Sequence, residues 1–150
     1  MKSCVAKNYK SFYSGFPQKI KRGWTEQLFS EYIRDRAGWR CQNKRCGKKF
    51  DKNNGKEKRK LHCCHLGYGR AHIQTRWNEF NCLALCNGCH LRVDQHPLRA
   101  LKILHENFTL EQVLYVRDQY KVDIGMKQKE FEKIERERIK KLIKELNNES

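Results

Sequence analysis

The chain has 150 residues, of which 38% are apolar and 33% are charged, and its formal net charge at pH 7 is +16. A chain of this length makes about one domain with a small core, so a bound metal would help to stabilise it. No run of about 18 apolar residues is present, which predicts that nothing spans a membrane. No N-terminal apolar stretch resembles a signal peptide, so a cytoplasmic protein is expected.

The positive charge is concentrated in the first 60 residues. This part has 18 Lys and Arg against 5 Asp and Glu, whereas residues 61–126 have 7 against 6 and residues 127–150 have 8 against 6. Cations at this density release counterions from a phosphate backbone, which favours nucleic acid as the partner over a merely solubilising surface. The candidate nucleic-acid contacts in this part are Lys19, Lys21, Arg22, Lys48, Lys49, Lys58, Arg59 and Lys60.

Apolar spacing and turn residues predict a compact order of elements. Residues 1–23 have no clear period and form a basic arm. The predicted elements that follow are a helix capped by Thr25 that runs to about Arg36, a cysteine knuckle from Trp39 to Phe50, a strand from Leu61 to Leu66, a returning segment from Trp77 to Leu85, a helix from Cys86 to about Val93, and helices that begin near Pro97, Thr109 and Met126.

The last predicted helix, Met126 to Leu146, is highly charged and has one narrow apolar stripe. The stripe consists of Phe131, Ile134, Ile139, Leu142 and Leu146. It could pack on the core, pair with a second chain to form a homodimer, or lie along DNA, and packing on the core is the simplest use of such a stripe. The expected organisation is an arm with a leading helix (1–36), a metal-stapled core (37–96) and a helical extension (97–150).

Two cysteine pairs have the spacing of zinc ligands. Cys41 and Cys46 are separated by four residues, Cys86 and Cys89 by two, and about forty residues lie between the pairs. Four thiolates satisfy a tetrahedral zinc, which needs two close pairs and a loop long enough to fold back. Disulfides are the alternative use of the eight cysteines, but a reducing compartment disfavours them. The sequence therefore predicts a structural zinc.

A longer string of residues resembles the HNH endonucleases, and within them it looks closest to phage recombination nucleases of the NinG type. The string is Cys64-His65-x4-Arg70-x-His72-x2-Thr75-Arg76-Trp77-x3-Asn81-Cys82-x-Ala84-Leu85-Cys86-x-Gly88-Cys89-His90. The resemblance covers about residues 38–97. It implies an α+β fold with a zinc-stapled ββα-metal core flanked by helices. It also implies metal-dependent hydrolysis of DNA, with branched or single-stranded DNA among the candidate substrates, in the host cytoplasm if a phage encodes the protein.

The resemblance implies a role for each matched residue. His65 matches the general base that deprotonates the attacking water, and the ordinary pKa of histidine, about 6.5, suits that task. His90 matches a ligand of the catalytic metal, although its place beside Cys89 would also let it complete the zinc site. Asn81 matches the asparagine that braces the loop beside the base, and its simpler use is as a turn residue.

One position departs from the family pattern. Most HNH proteins have Asp or His just before the base, as a ligand of the catalytic metal, and here Cys64 stands there. A thiolate is a poor ligand for Mg²⁺. His72, with His62 as the less favoured alternative, is expected to replace it, or else the ion is softer; the candidate catalytic ions are Mg²⁺, Mn²⁺, Ni²⁺ and Zn²⁺.

Two arginines complete the predicted site. Arg70 and Arg76 are candidates for gripping the phosphate, because a guanidinium matches phosphate oxygens in pairs, and structural ion pairing is the equal alternative. The rival function is a zinc-ribbon protein that binds nucleic acid without cutting it. Cys64 is the residue that favours this rival.

Overall fold

The structure is a computed structural model that describes residues 23–148. The predicted contacts Lys19, Lys21 and Arg22 lie outside the described residues. Within residues 23–148, no helix is long and apolar enough to cross a membrane.

Seven α-helices surround one β-hairpin in the described part of the chain. The helices are α1 (Trp24–Arg36), α2 (Gly55–Lys58), α3 (Ile73–Arg76), α4 (Asn87–Gln95), α5 (Pro97–Asn107), α6 (Leu110–Tyr120) and α7 (Gln128–Asn148), the strands are β1 (Leu61–His65) and β2 (Cys82–Cys86), and one 3-10 turn covers Glu79–Asn81. The chain is thus mixed α and β, as the sequence predicts, with helices flanking a small sheet.

The hairpin is antiparallel, with Leu61 opposite Cys86 and His65 opposite Cys82. Helix α4 starts directly after β2 and packs against both strands. The first four residues of β2 are buried, so the hairpin runs through the core instead of presenting one face to water. Helix α4 thus begins next to Leu61, at the other end of the hairpin from His65.

The returning strand begins later than the predicted Trp77. Residues 79–81 form the 3-10 turn, and the side chain of Asn78 caps it by accepting a hydrogen bond from the amide of Phe80 at 2.9 Å. An Asx cap of this kind competes with strand pairing, because it satisfies a backbone donor locally. The strand therefore starts at Cys82.

Thr25 does not cap α1, contrary to the sequence prediction. The helix begins at Trp24, after Gly23, and Thr25 is completely buried inside its first turn. The Thr25 hydroxyl donates to Glu132 at 2.8 Å and accepts from Arg136 at 3.0 Å. Its role is therefore to join α1 to α7, since a buried hydroxyl needs hydrogen-bond partners.

Helix α7 packs back on α1 and closes the core. Ile139 is completely buried, and Phe131, Leu142 and Leu146 pack partly buried against the core, whereas Ile134 is 54% exposed. The apolar stripe is thus used within the chain. A homodimer formed through it would have to displace the chain's own core.

An arginine fixes α7 to the segment that precedes β2. Arg138 donates to the Glu79 carboxylate at 2.8 Å and to the carbonyl of Trp77. The Arg138–Glu79 pair is only partly exposed, so solvent screens it less than a surface pair. The C-terminal helix therefore supports the approach to the second strand.

Ile139→Ala should lower the free energy of unfolding by about 2 to 5 kcal/mol, because it removes a completely buried side chain and leaves a cavity. Ile134→Ala is the matched control on the same helix, and it should change stability by no more than about 0.5 kcal/mol, since Ile134 is exposed. Urea denaturation of both variants measures this difference. Equal losses would contradict the packing of α7 on the core.

Candidate functional site

The four predicted metal ligands converge on one point. The sulfur atoms of Cys41, Cys46, Cys86 and Cys89 all lie within 4.8 Å of one another, and those of Cys46 and Cys86 are 3.8 Å apart. Thiolates around a tetrahedral ion with bonds of about 2.3 Å are about 3.8 Å apart. This cluster could therefore hold one metal ion. Within residues 23–148, no other group of three or more His, Cys, Asp or Glu side chains converges in this way.

The knuckle that carries the first cysteine pair is fixed to strand β2 through Gln42. The amide of Gln42 donates to the carbonyl of Ala84, and the Gln42 side chain accepts from the Ala84 amide, both at 2.8 Å. Gly47 has a φ of 56°, which lets the chain turn directly after Cys46 without the strain that a side chain would cause. These contacts bring the knuckle to the end of β2, where Cys86 lies.

Two N–H groups point at the sulfur atoms. The amide of Cys86 donates to Sγ of Cys41 at 3.4 Å, and the side-chain amide of Asn43 donates to Sγ of Cys89 at 3.2 Å. Burial raises the pKa of the Cys41 thiol. Because a metal ligand must be a thiolate, binding would release the proton of Cys41, and these donors would stabilise the resulting charge.

His65 lies at the end of β1 with one ring nitrogen committed. Its Nε2 is 2.8 Å from the carbonyl oxygen of Arg76. A carbonyl only accepts, so Nε2 carries a proton and Nδ1 of the neutral ring is the acceptor. Burial lowers the pKa of His65, although the hydrogen bond to Arg76 opposes this effect. The ring is therefore neutral at pH 7, with Nδ1 able to take a proton.

Asn81 braces the loop between the strands and is completely buried. Its Oδ1 accepts from the amides of Gly67 at 3.1 Å and Tyr68 at 2.8 Å. Its Nδ2 donates to the carbonyls of Tyr68 at 2.9 Å and Thr75 at 3.1 Å. A Cβ at Gly67 would lie 2.9 Å from Oδ1, so this close approach requires glycine. The asparagine thus fixes the loop that ends beside Arg76.

A cleft of about 1150 Å³ opens between the hairpin, α1, α4 and the start of α5. The lining residues with reactive or charged side chains include His62, Cys64, His65, Arg70, His90 and Asp94. Nε2 of His90 is 3.5 Å from the Asp94 carboxylate, and the ring centroids of His90 and His62 are 5.3 Å apart. The cleft therefore holds the predicted base, the predicted metal ligand His90 and two further residues that could bind a metal.

The predicted ligand His72 is not beside His90. Its ring stands edge-on to Tyr120 at 4.9 Å, and it does not line the cleft. The physical reason is that His72 precedes α3, which packs against α6 on another side of the loop. The histidine that the fold places next to His90 is His62, which is the less favoured alternative in the sequence.

Asp94 is a site residue that the sequence prediction leaves out. A signal for it does exist, because Asp94 follows His90 by four residues on α4, and residues at that spacing lie on the same face of a helix. Glu26 is also missed. It comes from α1, far along the chain, so no local pattern could indicate it.

Both predicted phosphate-gripping arginines have structural partners. Nε of Arg70 lies 3.0 Å from the Glu26 carboxylate, close enough for an ion pair but without the alignment of a hydrogen bond. Nε of Arg76 donates to the carbonyl of Arg70 at 2.7 Å, and Arg76 does not line the cleft. Arg70 thus lines the cleft, as predicted for a phosphate contact, whereas Arg76 forms a hydrogen bond within the loop.

The predicted basic contacts of the knuckle region divide into two groups. Lys48, Lys49, Arg59 and Lys60 are exposed, and Arg59 lines the cleft. Lys58 also lines the cleft, but it pairs with Glu31 at 2.7 Å. Positive charge therefore reaches the rim of the cleft that is lined by His62, His65 and His90, here called the histidine cleft.

Comparison of the chain with protein-family models, with curated proteins and with solved structures found no match. The resemblance to HNH endonucleases rests on the string of residues from Cys64 to His90.

Cys41→Ser should remove the bound metal and unfold the core, because metal binding and folding share one free energy, about 10 kcal/mol or more in metal-folded peptides. Cys63→Ser is the control, since Cys63 is partly buried and outside the cluster. Elemental analysis and thermal melting of both purified variants measure the effect. Metal loss from Cys63→Ser, with retention in Cys41→Ser, would contradict the assignment of the cluster.

Asn81→Ala should lower the free energy of unfolding by at least about 1 to 3 kcal/mol, the cost of leaving one buried backbone group unpaired. Asn53→Ala, at an exposed loop position, should change it by less than about 0.5 kcal/mol. Chemical denaturation gives both values, and metal content should stay unchanged in each. Equal stability of the two variants would show that Asn81 does not brace the loop.

Proposed function

We propose that the chain is a metal-dependent DNA endonuclease of the HNH type, with His65 as its general base. The observation that carries this proposal is the hydrogen bond from Nε2 of His65 to the Arg76 carbonyl at 2.8 Å. It leaves Nδ1 as an acceptor on a histidine that lines the same cleft as His90. The high positive charge of the chain and the cations at the cleft rim support a polyanionic substrate.

In this mechanism, Nδ1 of His65 accepts a proton from the water that attacks phosphorus. The carbonyl of Arg76 holds the ring in orientation, and it stabilises the positive charge that the ring acquires. Asn81 positions this carbonyl, because it binds the carbonyl of the neighbouring Thr75. Since burial lowers the pKa of His65, the ring readily gives up the proton again after cleavage.

The cysteine cluster is proposed to hold a structural zinc, since four thiolates form the closed tetrahedral set that zinc takes in such sites. Its contribution is to stability. It joins the knuckle to the hairpin and does not take part in hydrolysis.

The proposed catalytic ion would be bound by His90 with Asp94 and His62. When bound, such an ion stabilises the charge of the pentacovalent phosphorus and of the leaving oxygen. Two imidazoles and one carboxylate suit Mn²⁺, Ni²⁺ or Zn²⁺ better than Mg²⁺. Cys64 is not proposed as a ligand, because it is buried and its Sγ donates to the carbonyl of His62 at 3.7 Å.

One observation favours a second candidate, a zinc-ribbon protein that binds nucleic acid without cleaving it. Within residues 23–148 only the cysteines converge as a group of three or more metal-binding side chains. His62, His90 and Asp94 do not converge in that way. This arrangement suits a protein with a structural metal alone, and measurement of cleavage separates the two functions.

His65→Ala should slow cleavage by about 10² to 10⁴-fold, because it removes a general base. Metal content, melting temperature and DNA affinity should remain close to those of the wild type. His105→Ala is the matched control, since His105 is exposed on α5 and does not line the cleft. The assay incubates supercoiled, linear, single-stranded and branched DNA with Mg²⁺, Mn²⁺, Ni²⁺ or Zn²⁺.

His90→Ala provides a second arm of this test. It should also abolish cleavage, but excess divalent ion should partly restore the activity, whereas no ion should rescue His65→Ala. Absence of metal-dependent cleavage by the wild type, or full activity of His65→Ala, would end the nuclease proposal and favour the binding protein.

A further inference from the structure

A second cleft lies between the knuckle, α4 and α5. Its volume is about 410 Å³, and its charged lining residues are Arg45, Arg92, Arg99, Lys102 and Glu106. Four cations and one anion thus meet at this surface. These side chains come from three separate segments, so only the fold brings them together.

The cations of this second cleft are poorly neutralised. Lys102 is 4.0 Å from Glu106, at the limit of an ion pair. Across residues 23–148, no ion pair is formed by Arg45, Arg92 or Arg99, and all three are exposed. Like charges that converge without counterions repel one another and destabilise the fold. A surface that served solubility alone would spread them apart.

Asn43 links the backbone of Arg45 to the four-cysteine cluster. The Oδ1 atom of Asn43 accepts from the amide of Arg45 at 3.2 Å, while its Nδ2 donates to Sγ of Cys89 at 3.2 Å. Cys89, Val93 and Ile103 are buried and form the floor of the cleft. The floor is therefore part of the core, and the core holds the backbone segments that carry the cations.

This cleft is separate from the histidine cleft. His90 and Arg92 are two residues apart on α4, and residues at that spacing point to nearly opposite sides of a helix. The two clefts share Val93 as a lining residue, and no other residue lines both. A ligand in one therefore does not occupy the other.

We propose that this second cleft binds the phosphodiester backbone of a nucleic acid, away from the site of cleavage. Guanidinium groups bind phosphate oxygens in pairs, and three of the four cations are arginines. Pockets for small molecules are mostly apolar and enclosing, whereas this cleft has exposed cations at its edge and no aromatic lining. An extended polyanion fits such a surface. The proposal takes from the proposed function only that the partner is a nucleic acid.

The experiment measures binding of a fluorescent duplex oligonucleotide at several salt concentrations, with the full chain carrying His65→Ala so that cleavage is slowed. Arg92→Gln with Arg99→Gln should make the slope of log affinity against log salt less steep by roughly 2, about 0.9 for each lost phosphate contact. Arg117→Gln with Lys121→Gln removes the same charge from α6 and its C-cap, and it should leave the slope nearly unchanged. Thermal melting checks that both double variants are folded.

Equal slopes for the cleft variant and the parent would overturn the proposal, and so would equal changes in the cleft and control variants. Polyglutamate of matched charge serves as a competitor in the same titration. If it displaced the duplex charge for charge, the cleft would bind acidic peptide instead, and the nucleic-acid proposal would fail. Cleavage by the wild type is assayed separately. If the wild type does not cleave DNA but the cleft variant has a less steep slope, the nuclease proposal fails and the proposal for this cleft stands.

Discussion

The four-cysteine cluster is the constraint on which the other features depend. It joins the knuckle, the end of β2 and the first turn of α4 at one point. A small core gives little stability by burial alone, so a metal at this junction would supply free energy that side-chain packing does not. Both clefts border this junction, since α4 carries His90 towards one of them and Arg92 towards the other.

A second fixed element is the loop between the strands, and its order comes from a single buried side chain. All four hydrogen bonds that the Asn81 side chain makes go to backbone groups of this loop. The orientation of His65 depends on the same loop, because its ring bonds the carbonyl of Arg76. A substitution of Asn81 would therefore alter the orientation of the proposed base, His65, through the loop.

The C-terminal helix α7 supports this arrangement from outside. Ile139 fills the core, while Arg138 and the contacts of Thr25 hold the segment before β2 and the start of α1. Packing of this kind buries most of the apolar stripe of α7 within one chain. The proposed site consequently depends on α1 and α7 as well as on the residues of its sequence motif.

Local sequence patterns predict the cysteine pairs, most of the helices and β1, because turn residues, caps and ligand spacing act over a few neighbouring positions. Which side chains meet depends on the tertiary packing. It placed His62 beside His90 and His72 against Tyr120, since those contacts depend on how helices pack across the loop. It also paired Glu26 with Arg70, because packing joins residues that are far apart along the chain, and no local pattern encodes such a distance.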